Sequence, residues 1–364
     1  MKKVFFILPS ARGGGAEKVV LTLVNSLSRK KFDLTLVLID ADGPYLSIIP
    51  HDIHFIGLRF KHISLSFFTL IKILKKQSPN IVFSTIGHLN VFVIFLKFFL
   101  PKGIKFIVRE SSVPSISFRG NTKLKLIRAL YPIIYPLADK ILCPGKGVKL
   151  DLEKHFKIES RKIKVIPNPI SVERIRSSII IRRNLWDGSC PKLLAAGRIE
   201  RVKGFNFLIE AMRIITSKLP NARLLILGDG PERHKLELLS TQLNLSENIV
   251  FEGFKNNIYP YFYQADVFIL SSIYEGLPNV VLESLACGTP VVAFNCPGSI
   301  KDVVKTTKQG ILVSPGNVQE LVGSILQCLR RKNSINKESL LPIEFYSDNV
   351  LERYESFLTQ TIKN

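Results

Sequence analysis

The segment SSIYEGLPNVVLE, residues 271–283, connects an apolar run of strand length, DVFIL, to the start of a helical segment. It carries two carboxylates eight residues apart, Glu275 in the loop and Glu283 about one turn into the helix. Sugars and riboses present hydroxyl groups that need fixed hydrogen-bond acceptors, and carboxylates supply them. The spacing therefore predicts a site for a hydroxyl-rich ligand where a strand ends.

Apolar runs of strand length alternate with segments of helical period on both sides of this stretch. The runs in the first half are VFFILPS, FDLTLVLID, IHFIGL, NIVFSTI, KFIVRES, KILCPG and KIKVIPN, and those in the second half are KLLAAGRI, ARLLILGDG, NIVFEGF, DVFILSS and PVVAF. Such alternation is typical of α/β proteins with parallel sheets. We expect two doubly wound units.

The length of 364 residues and one proline-rich segment suggest the division into domains. Pro167 and Pro169 prevent a helix from continuing through IPNPI, so we place the hinge there. The predicted domains are 1–170 and 171–345. A helical segment in 346–364 closes the chain, and packing against the first domain is one arrangement open to it.

The net charge of +22 is concentrated in the first half, because residues 1–170 contain 28 basic and 10 acidic residues, a net +18. This asymmetry predicts an anionic partner: lipid headgroups, nucleic acid or a phosphorylated substrate. Nucleic acid is disfavoured because the chain has no helix-turn-helix, RNA-recognition or zinc pattern. The apolar run Val91–Leu100 contains Lys97 and is too short to span a membrane, and Val4–Leu8 is too short for a signal peptide.

A glycine-rich turn, SARGGGAE at residues 10–17, follows the first predicted strand and precedes a helix predicted over Lys18–Ser28. Glycines at such a turn let backbone amides approach an anion, and the helix dipole adds to the attraction. The dinucleotide fingerprint fails here because Lys18 occupies the position of its third glycine. We therefore expect a phosphate contact but not NAD binding.

The second domain contains further glycine-rich turns. GRIERVKG, residues 197–204, would place Arg198 and Lys203 at the carboxyl edge of the sheet, where ligands of open α/β sheets bind. Two cations there suit a diphosphate. The turn GDGP, containing Gly228 and Gly230, would let a planar group approach the backbone, although a simple turn fits equally well. Asp40-Ala41-Asp42 has the form of a metal-binding D-x-D motif, and we interpret it as a turn.

Taken together, these motifs resemble glycosyltransferase family 4, whose members are retaining enzymes of the GT-B fold. The shared features are E-x7-E with ACGTPVV after it, G-G-x-E at residues 14–17, G-R-x4-K-G at 197–204, G-x-G-P at 228–231 and G-F at 253–254. The resemblance covers most of the second domain. It implies two Rossmann-like doubly wound domains facing a cleft.

The resemblance also implies roles for individual residues. Glu283 would bind the donor's ribose hydroxyls, Glu275 the 3- and 4-hydroxyls of the donor sugar, Arg198 and Lys203 the diphosphate, and the backbone amide of Gly15 the phosphate. Further donor contacts are expected at Gly14, Gly228, Gly230, Gly253, Phe254, Gly276, Leu277, Asn279 and Val280. The family scheme is front-face attack with electrostatic stabilisation of the leaving diphosphate, and it requires no metal or other cofactor.

One departure from the family pattern concerns the first domain. Many relatives carry a histidine near the reacting sugar, after a strand that corresponds to Lys105–Val108, whereas this chain continues with Arg109 and Glu110. Either of these could face the cleft. His88, which follows an earlier strand, is a weaker candidate.

The resemblance and the basic first domain together predict a peripheral enzyme at the cytoplasmic face of a membrane. The donor would be a UDP- or GDP-sugar, with UDP and Gal, GalNAc or GlcNAc favoured, and the acceptor a polyprenyl-diphosphate-linked glycan. A surface with Arg119, Lys123, Lys125 and Arg128 would contact anionic lipid. A sugar-nucleotide epimerase or hydrolase of the same fold remains the alternative.

Overall fold

The computed structural model describes residues 1–120, 122–181, 184–186, 190–331 and 337–363, without the side chain of Lys123. The chain forms two compact units. One consists of Met1–Pro169 together with the segment that starts at Ser347, and the other of Ile170–Tyr346. Each unit has its own parallel sheet, so the expectation of two doubly wound α/β units is confirmed.

The described part of the first unit contains a sheet of seven strands in the order β3-β2-β1-β4-β5-β6-β7. All neighbouring strands are parallel. The strands are β1 (Lys2–Leu8), β2 (Phe32–Leu38), β3 (His54–Gly57), β4 (Ile81–Thr85), β5 (Lys105–Arg109), β6 (Lys140–Cys143) and β7 (Ile163–Val165). The central strands are buried on both faces, which explains their unbroken apolar character.

Helices cover both faces of this sheet. They are α1 (Gly15–Ser26), α2 (Phe67–Gln77), α3 (Gly87–Leu96), α4 (Pro114–Ser117), α5 (Thr122–Ile134) and α6 (Lys146–Phe156). Leu70 and Leu74, four residues apart on the apolar side of α2, lie in the core. Helix α1 begins three residues before its predicted start, at the glycines themselves.

The second unit, within the described residues, has a six-stranded parallel sheet in the order β10-β9-β8-β11-β12-β13. Its strands are β8 (Lys192–Ala196), β9 (Arg223–Leu227), β10 (Ile249–Gly253), β11 (Val267–Leu270), β12 (Val291–Phe294) and β13 (Gly310–Val313). Its helices are α7 (Val172–Ser177), α8 (Phe205–Lys218), α9 (Arg233–Gln242), α10 (Tyr259–Gln264), α11 (Asn279–Ala286) and α12 (Val318–Leu329). Strand β13 is absent from the sequence-based prediction, because four residues beginning with glycine give a weak strand signal.

The last helix, α13 (Ser347–Lys363), belongs to the first unit although it follows the second in the chain. Tyr354 and Leu358 lie in the same apolar core as β1. Glu355 fixes the helix, because its carboxylate accepts hydrogen bonds from the backbone amide of Ser28 at 2.9 Å and from Nζ of Lys31 at 2.6 Å. Across the described residues, every helix is too short or too polar to cross a bilayer.

Candidate active site

The order of strands in the second unit creates a topological switch point between β8 and β11. The chain leaves β8 toward β9 on one side of the sheet and leaves β11 toward β12 on the other. The loops that follow the two strands therefore diverge, and ligands of open α/β sheets bind in the opening between such loops. The β8 loop carries Arg198 and Lys203, and the β11 loop carries Glu275.

Backbone contacts hold these two loops together. The amide of Ile273 donates to the carbonyl of Val202 at 2.8 Å, and Oγ of Ser271 donates to the carbonyl of Lys203 at 2.9 Å. Gly204 has φ +60, and a Cβ there would lie 2.2 Å from the carbonyl oxygen of Ser271. Because both effects exclude a side chain, the glycine of the G-R-x4-K-G motif is required by loop packing.

Lys203 and Glu275 form an ion pair across the switch point. Nζ of Lys203 lies 2.6 Å from Oε1 of Glu275, and the two side chains are 22% and 13% exposed. Burial opposes the charge of Lys203, but the adjacent carboxylate of Glu275 outweighs it, so the pKa of Lys203 is raised above 10.5. The lysine is therefore a fixed cation over the physiological pH range.

Ser272 also contacts Glu275, and sequence reasoning did not identify it as a site residue. Its Oγ donates to Oε1 at 2.7 Å, so both hydrogen bonds reach the same carboxylate oxygen. Among the described residues, no protein group donates to Oε2. This oxygen can accept a hydrogen bond from a ligand while Oε1 holds the side chain in place.

The loop after β12 fixes the backbone of Glu275. The amide of Glu275 donates to the carbonyl of Pro297 at 3.0 Å, and the amide of Ser299 donates to the carbonyl of Gly276 at 3.0 Å. Gly298 has φ +124, and a Cβ there would lie 1.5 Å from the carbonyl oxygen of Glu275. The only sequence signal for this contact is the glycine in CPGS after a predicted strand.

The second carboxylate of the motif has a different environment. Glu283 lies on α11 and is 3% exposed, so contact with a ligand would involve only a small edge of its carboxylate. Leu277 is buried, and Val280 packs against the same apolar core. Asn279 is the first residue of α11 and is partly exposed. Leu277 and Val280 thus pack in the apolar core, whereas Asn279 is partly exposed at the start of α11.

Gly228 and Gly230 allow two backbones to approach, a role that the sequence did not reveal. A Cβ at Gly228 would lie 2.0 Å from the carbonyl oxygen of Gly197, and one at Gly230 would lie 2.4 Å from that of Ile199. The loops after β8 and β9 therefore touch at these glycines. Close approach of a planar ligand is not needed to explain them.

The remaining predicted donor contacts lie at the ends of β8 and β10. Nε of Arg198 is 3.0 Å from Oε1 of Glu200, and the arginine side chain is 73% exposed. Phe254 is 62% exposed, and it follows Gly253, whose φ is +73. Both side chains are available to a ligand that reaches this edge of the sheet.

The glycine turn of the first unit leads directly into α1. Gly13 has φ +102, Gly14 is the N-cap, and Gly15 is the first helical residue. A Cβ at Gly14 would lie 2.1 Å from Oε2 of Glu17, so the glycine makes room for that carboxyl group. Burial raises the pKa of the Glu17 carboxyl above its ordinary value of 4.5. A backbone hydrogen bond lowers this pKa, but by a smaller amount.

The D-x-D motif binds an arginine. Nη2 of Arg12 lies 2.6 Å from Oδ2 of Asp40, and its Nε lies 3.1 Å from Oδ2 of Asp42. These two ion pairs link the loop after β2 to the glycine turn after β1. The structure thus accounts for both carboxylates by a turn contact, in line with the sequence-based interpretation.

Arg109 and Glu110 are both buried, at 2% and 1% exposed. Glu110 Oε2 accepts hydrogen bonds from the hydroxyls of Tyr131 and Tyr135 at 2.8 and 2.7 Å. Burial raises the pKa of Glu110, and these two bonds lower it by less. The expectation that either residue faces a substrate is therefore wrong for this structure, because the fold places both in its interior.

His88 is exposed, in contrast to these two residues. It is the second residue of α3 and follows Ile86, a β-branched residue with φ +74. Positive φ at such a residue is strained, and strain of this kind concentrates at functional sites. Among the three candidates for the missing histidine's position, His88 alone is accessible.

Solved structures with the same architecture identify the class of fold. The HepE protein of Anabaena, crystallised with UDP-glucose, superposes with a TM-score of 0.78 over 100% of this chain and 98% of its own, at 19% identity. Two doubly wound units in one chain, as seen here, define a protein of the GT-B fold.

The sequence assigns the family within that class. Residues 13–174 match the family described as Glycosyltransferase Family 4, and residues 177–339 match Glycosyl transferases group 1. The chain is a glycosyltransferase and belongs to glycosyltransferase family 4.

Two named relatives are similar over most of their length. The N-acetylgalactosamine-N,N'-diacetylbacillosaminyl-diphospho-undecaprenol 4-alpha-N-acetylgalactosaminyltransferase of Campylobacter jejuni is 30% identical, with 87% of each chain covered. The UDP-Gal:alpha-D-GlcNAc-diphosphoundecaprenol alpha-1,3-galactosyltransferase of Escherichia coli is 25% identical, with 86% of this chain and 84% of the relative covered.

Proposed function

We propose that this glycosyltransferase moves a hexose or N-acetylhexosamine from a UDP-sugar, with retention of configuration, to a polyprenyl-diphosphate-linked glycan in cell-surface polysaccharide synthesis. The observation that carries the proposal is the ion pair of Lys203 and Glu275 at the β8–β11 switch point. A fixed cation beside a fixed acceptor matches a ligand whose diphosphate is adjacent to a sugar.

The pair offers two complementary interactions to such a donor. Lys203 stays protonated beside Glu275 and can share its charge with the diphosphate. Oε2 of Glu275 can accept a hydrogen bond from a sugar hydroxyl while Ser272 and Lys203 hold Oε1. Arg198, exposed on the same loop, supplies a second cation. We assign the diphosphate to Lys203 and Arg198, the sugar to Glu275 and the ribose to Glu283.

These cations would also serve the chemical step. As the glycosidic bond breaks, negative charge develops on the leaving diphosphate, and preorganised cations stabilise that charge more in the transition state than in the ground state. A leaving phosphate oxygen can then take the proton of the acceptor hydroxyl. We propose that two protein cations make a metal ion unnecessary.

The named relatives support the choice of donor and acceptor. The Escherichia coli relative is named for UDP-Gal, and both relatives are named for acceptors linked to undecaprenyl diphosphate. Both names specify an α-linked product, and the sugar of UDP-Gal is itself α-linked, so retention is consistent with them. A polyprenyl-linked acceptor would place the enzyme on the inner face of the cytoplasmic membrane as a peripheral protein.

The test is turnover with a panel of UDP- and GDP-sugars and a synthetic polyprenyl-diphosphate acceptor that carries a single N-acetylhexosamine. We expect one UDP-sugar to give a product whose new linkage is α by NMR, with activity unchanged in EDTA. A β linkage would exclude retention. Sugar release or epimerisation without acceptor would instead identify a hydrolase or epimerase of the same fold.

A further inference from the structure

Five large apolar side chains protrude from one region of the first unit. Phe68 lies at the start of α2, Phe95 on α3, and Phe98 and Phe99 in the 3-10 turn Lys97–Phe99, while Leu65 precedes α2. Their exposed fractions are 81% for Phe68, 63% for Phe98, 61% for Leu65, 44% for Phe99 and 43% for Phe95. We call these residues, with Phe67 at their centre, the phenylalanine patch.

Ring contacts show that the phenylalanines form one surface. The ring centroid of Phe67 lies 5.2 Å from those of Phe68 and Phe99 and 6.2 Å from that of Phe95. Phe95 in turn lies 6.0 Å from Phe98. Contiguous exposed apolar surface of this kind marks an interaction site, whereas isolated exposed apolar residues do not.

The sequence around the patch is basic and lacks acidic residues. Residues 53–109 contain nine Lys and Arg and no Asp or Glu. On α2, Lys72 and Lys75 follow Phe68 at spacings of four and seven, so they lie on the same exposed side of the helix. Lys76, Lys61 and Lys102 are exposed as well. The charged residues of the segment that carries the patch are thus all basic, and Lys72 and Lys75 lie on the same side of α2 as Phe68, while Lys97 pairs with Asp139 at 2.8 Å.

We propose that the phenylalanine patch inserts into the headgroup region of an anionic bilayer, with the surrounding lysines on the lipid phosphates. Aromatic rings are favoured at the boundary between headgroups and acyl chains, and each basic residue near an anionic surface adds to the attraction. A combination of apolar insertion and a basic border is what stable peripheral binding requires.

The lysines near the phenylalanine patch argue against a second copy of this chain as its binding partner. A twofold dimer would place the same patch on both subunits, and the lysines of one subunit would then face those of the other. Like charges so placed repel, and interfaces between proteins are generally depleted of lysine. An anionic lipid surface meets the same residues with opposite charge.

A different surface was predicted from sequence, around Arg119, Lys125 and Arg128. In the structure Arg119 and Lys125 are exposed, Arg128 is partly buried, and Lys123 lies outside the described side chains. This surface is on and before α5, whereas the phenylalanine patch is formed by α2, α3 and the 3-10 turns next to them. Variants can therefore separate the two.

Vesicle flotation of the whole chain tests the inference. We expect binding to vesicles of phosphatidylcholine with phosphatidylglycerol, and weak binding to phosphatidylcholine alone. Phe68→Ser with Phe98→Ser should reduce the binding constant by roughly tenfold or more, because two exposed rings are lost from the interface. The lysine variant Lys72→Gln with Lys75→Gln and Lys76→Gln should weaken binding to anionic vesicles and flatten its salt dependence.

Leu150→Ser with Ile343→Ser is the matched control, because these side chains are 61% and 68% exposed elsewhere on the chain. It should bind vesicles as the wild type does. Because all replaced residues are exposed, we expect every variant to unfold at the same temperature as the wild type. A thermal unfolding curve for each variant checks that its fold is intact. The flotation assay measures binding without turnover, so failure of this inference is distinguishable from failure of the proposed function. The two share only the expectation of a membrane-borne acceptor.

A depth measurement gives the second readout. Trp186, the single tryptophan, is 2% exposed, so Phe98→Trp adds a reporter on the patch over a protected background. Quenching of the added fluorescence by brominated lipid supports insertion. Three results would overturn the proposal. The first is a reporter that is not quenched although the protein is bound to the vesicles. The second is full vesicle binding by the double phenylalanine variant, together with loss of binding when the cations of α5 are replaced, and the third is a dimer of the wild type that the double phenylalanine variant dissociates.

Discussion

Nζ of Lys203 and Oε1 of Glu275 are 2.6 Å apart, although 72 positions separate the two residues in the sequence. The pair joins the loops after β8 and β11, which leave the sheet on opposite sides of its switch point. Only 22% of the Lys203 side chain and 13% of the Glu275 side chain are exposed to solvent. A cation and a carboxylate held together in this way contribute both to the fold of the loops and to the site that they enclose.

Replacing Glu275 with Gln should separate these contributions. The amide oxygen can still accept from Ser272, but the charge that stabilises the Lys203 ammonium is lost. We expect kcat/KM for the UDP-sugar to fall by roughly a hundredfold or more and the free energy of unfolding by about 1–3 kcal/mol. Steady-state kinetics and urea unfolding measure the two effects. Retained activity would show that Glu275 does not contact the donor.

Arg198 should affect donor binding without affecting stability. Its side chain is 73% exposed and its pair with Glu200 lies in solvent, so Arg198→Gln should change the free energy of unfolding by less than about 0.5 kcal/mol. We expect UDP affinity, measured by calorimetry, to fall by roughly tenfold. Arg201→Gln, an exposed arginine of the same loop, is the matched control. Equal losses in both variants would point to general electrostatic attraction instead.

Gly298 should be intolerant of even a methyl group. Its φ is +124, and the Cβ of Gly298→Ala would collide with the carbonyl oxygen of Glu275. We expect a loss of about 3 kcal/mol or more in unfolding free energy, together with loss of activity from a displaced Glu275. Gly323→Ala, on α12 with nothing within 4 Å of its Cβ, should instead stabilise the protein by about 0.5–1 kcal/mol. Similar effects of the two substitutions would contradict the clash.

Glu110 should make stability depend on pH in a defined direction. Burial raises its pKa above the ordinary value of 4.5. A carboxyl with a raised pKa in the folded state contributes stability that is complete below the unfolded pKa and is lost as the pH rises through the folded pKa. Glu110→Gln cannot ionise and avoids this loss.

The variant should therefore gain stability relative to the wild type as the pH rises from 4 toward 7, by on the order of 1 kcal/mol. Urea unfolding at several pH values measures the difference, and Glu247→Gln, which replaces an exposed carboxylate, controls for the change in net charge. A difference that stays constant with pH would mean that folding leaves the pKa of Glu110 unchanged, with the tyrosine hydrogen bonds offsetting the effect of burial.

The local pattern of the sequence determined the fold class and the places where ligand-binding groups occur. Alternating apolar runs predicted twelve of the strands found in the described residues, because a buried parallel strand needs a continuous apolar segment and each such segment is local in sequence. The E-x7-E motif and the glycine-rich turns were equally visible, since their residues are adjacent or nearly so. β13 was missed because its four residues begin with Gly310, and a glycine weakens the strand pattern of so short a run.

Only the tertiary structure decided which of these groups meet. The contact of Lys203 with Glu275, the close approach of Gly228 to Gly197, and the burial of Arg109 and Glu110 all depend on strand order and on helices packed over the sheet. Periodicity shows that a residue lies at a strand end, but it carries no information about which distant strand lies beside it. The phenylalanine patch illustrates the same limit, because its rings come from α2, α3 and the 3-10 turn after α3 and become one surface only when these elements pack on one sheet.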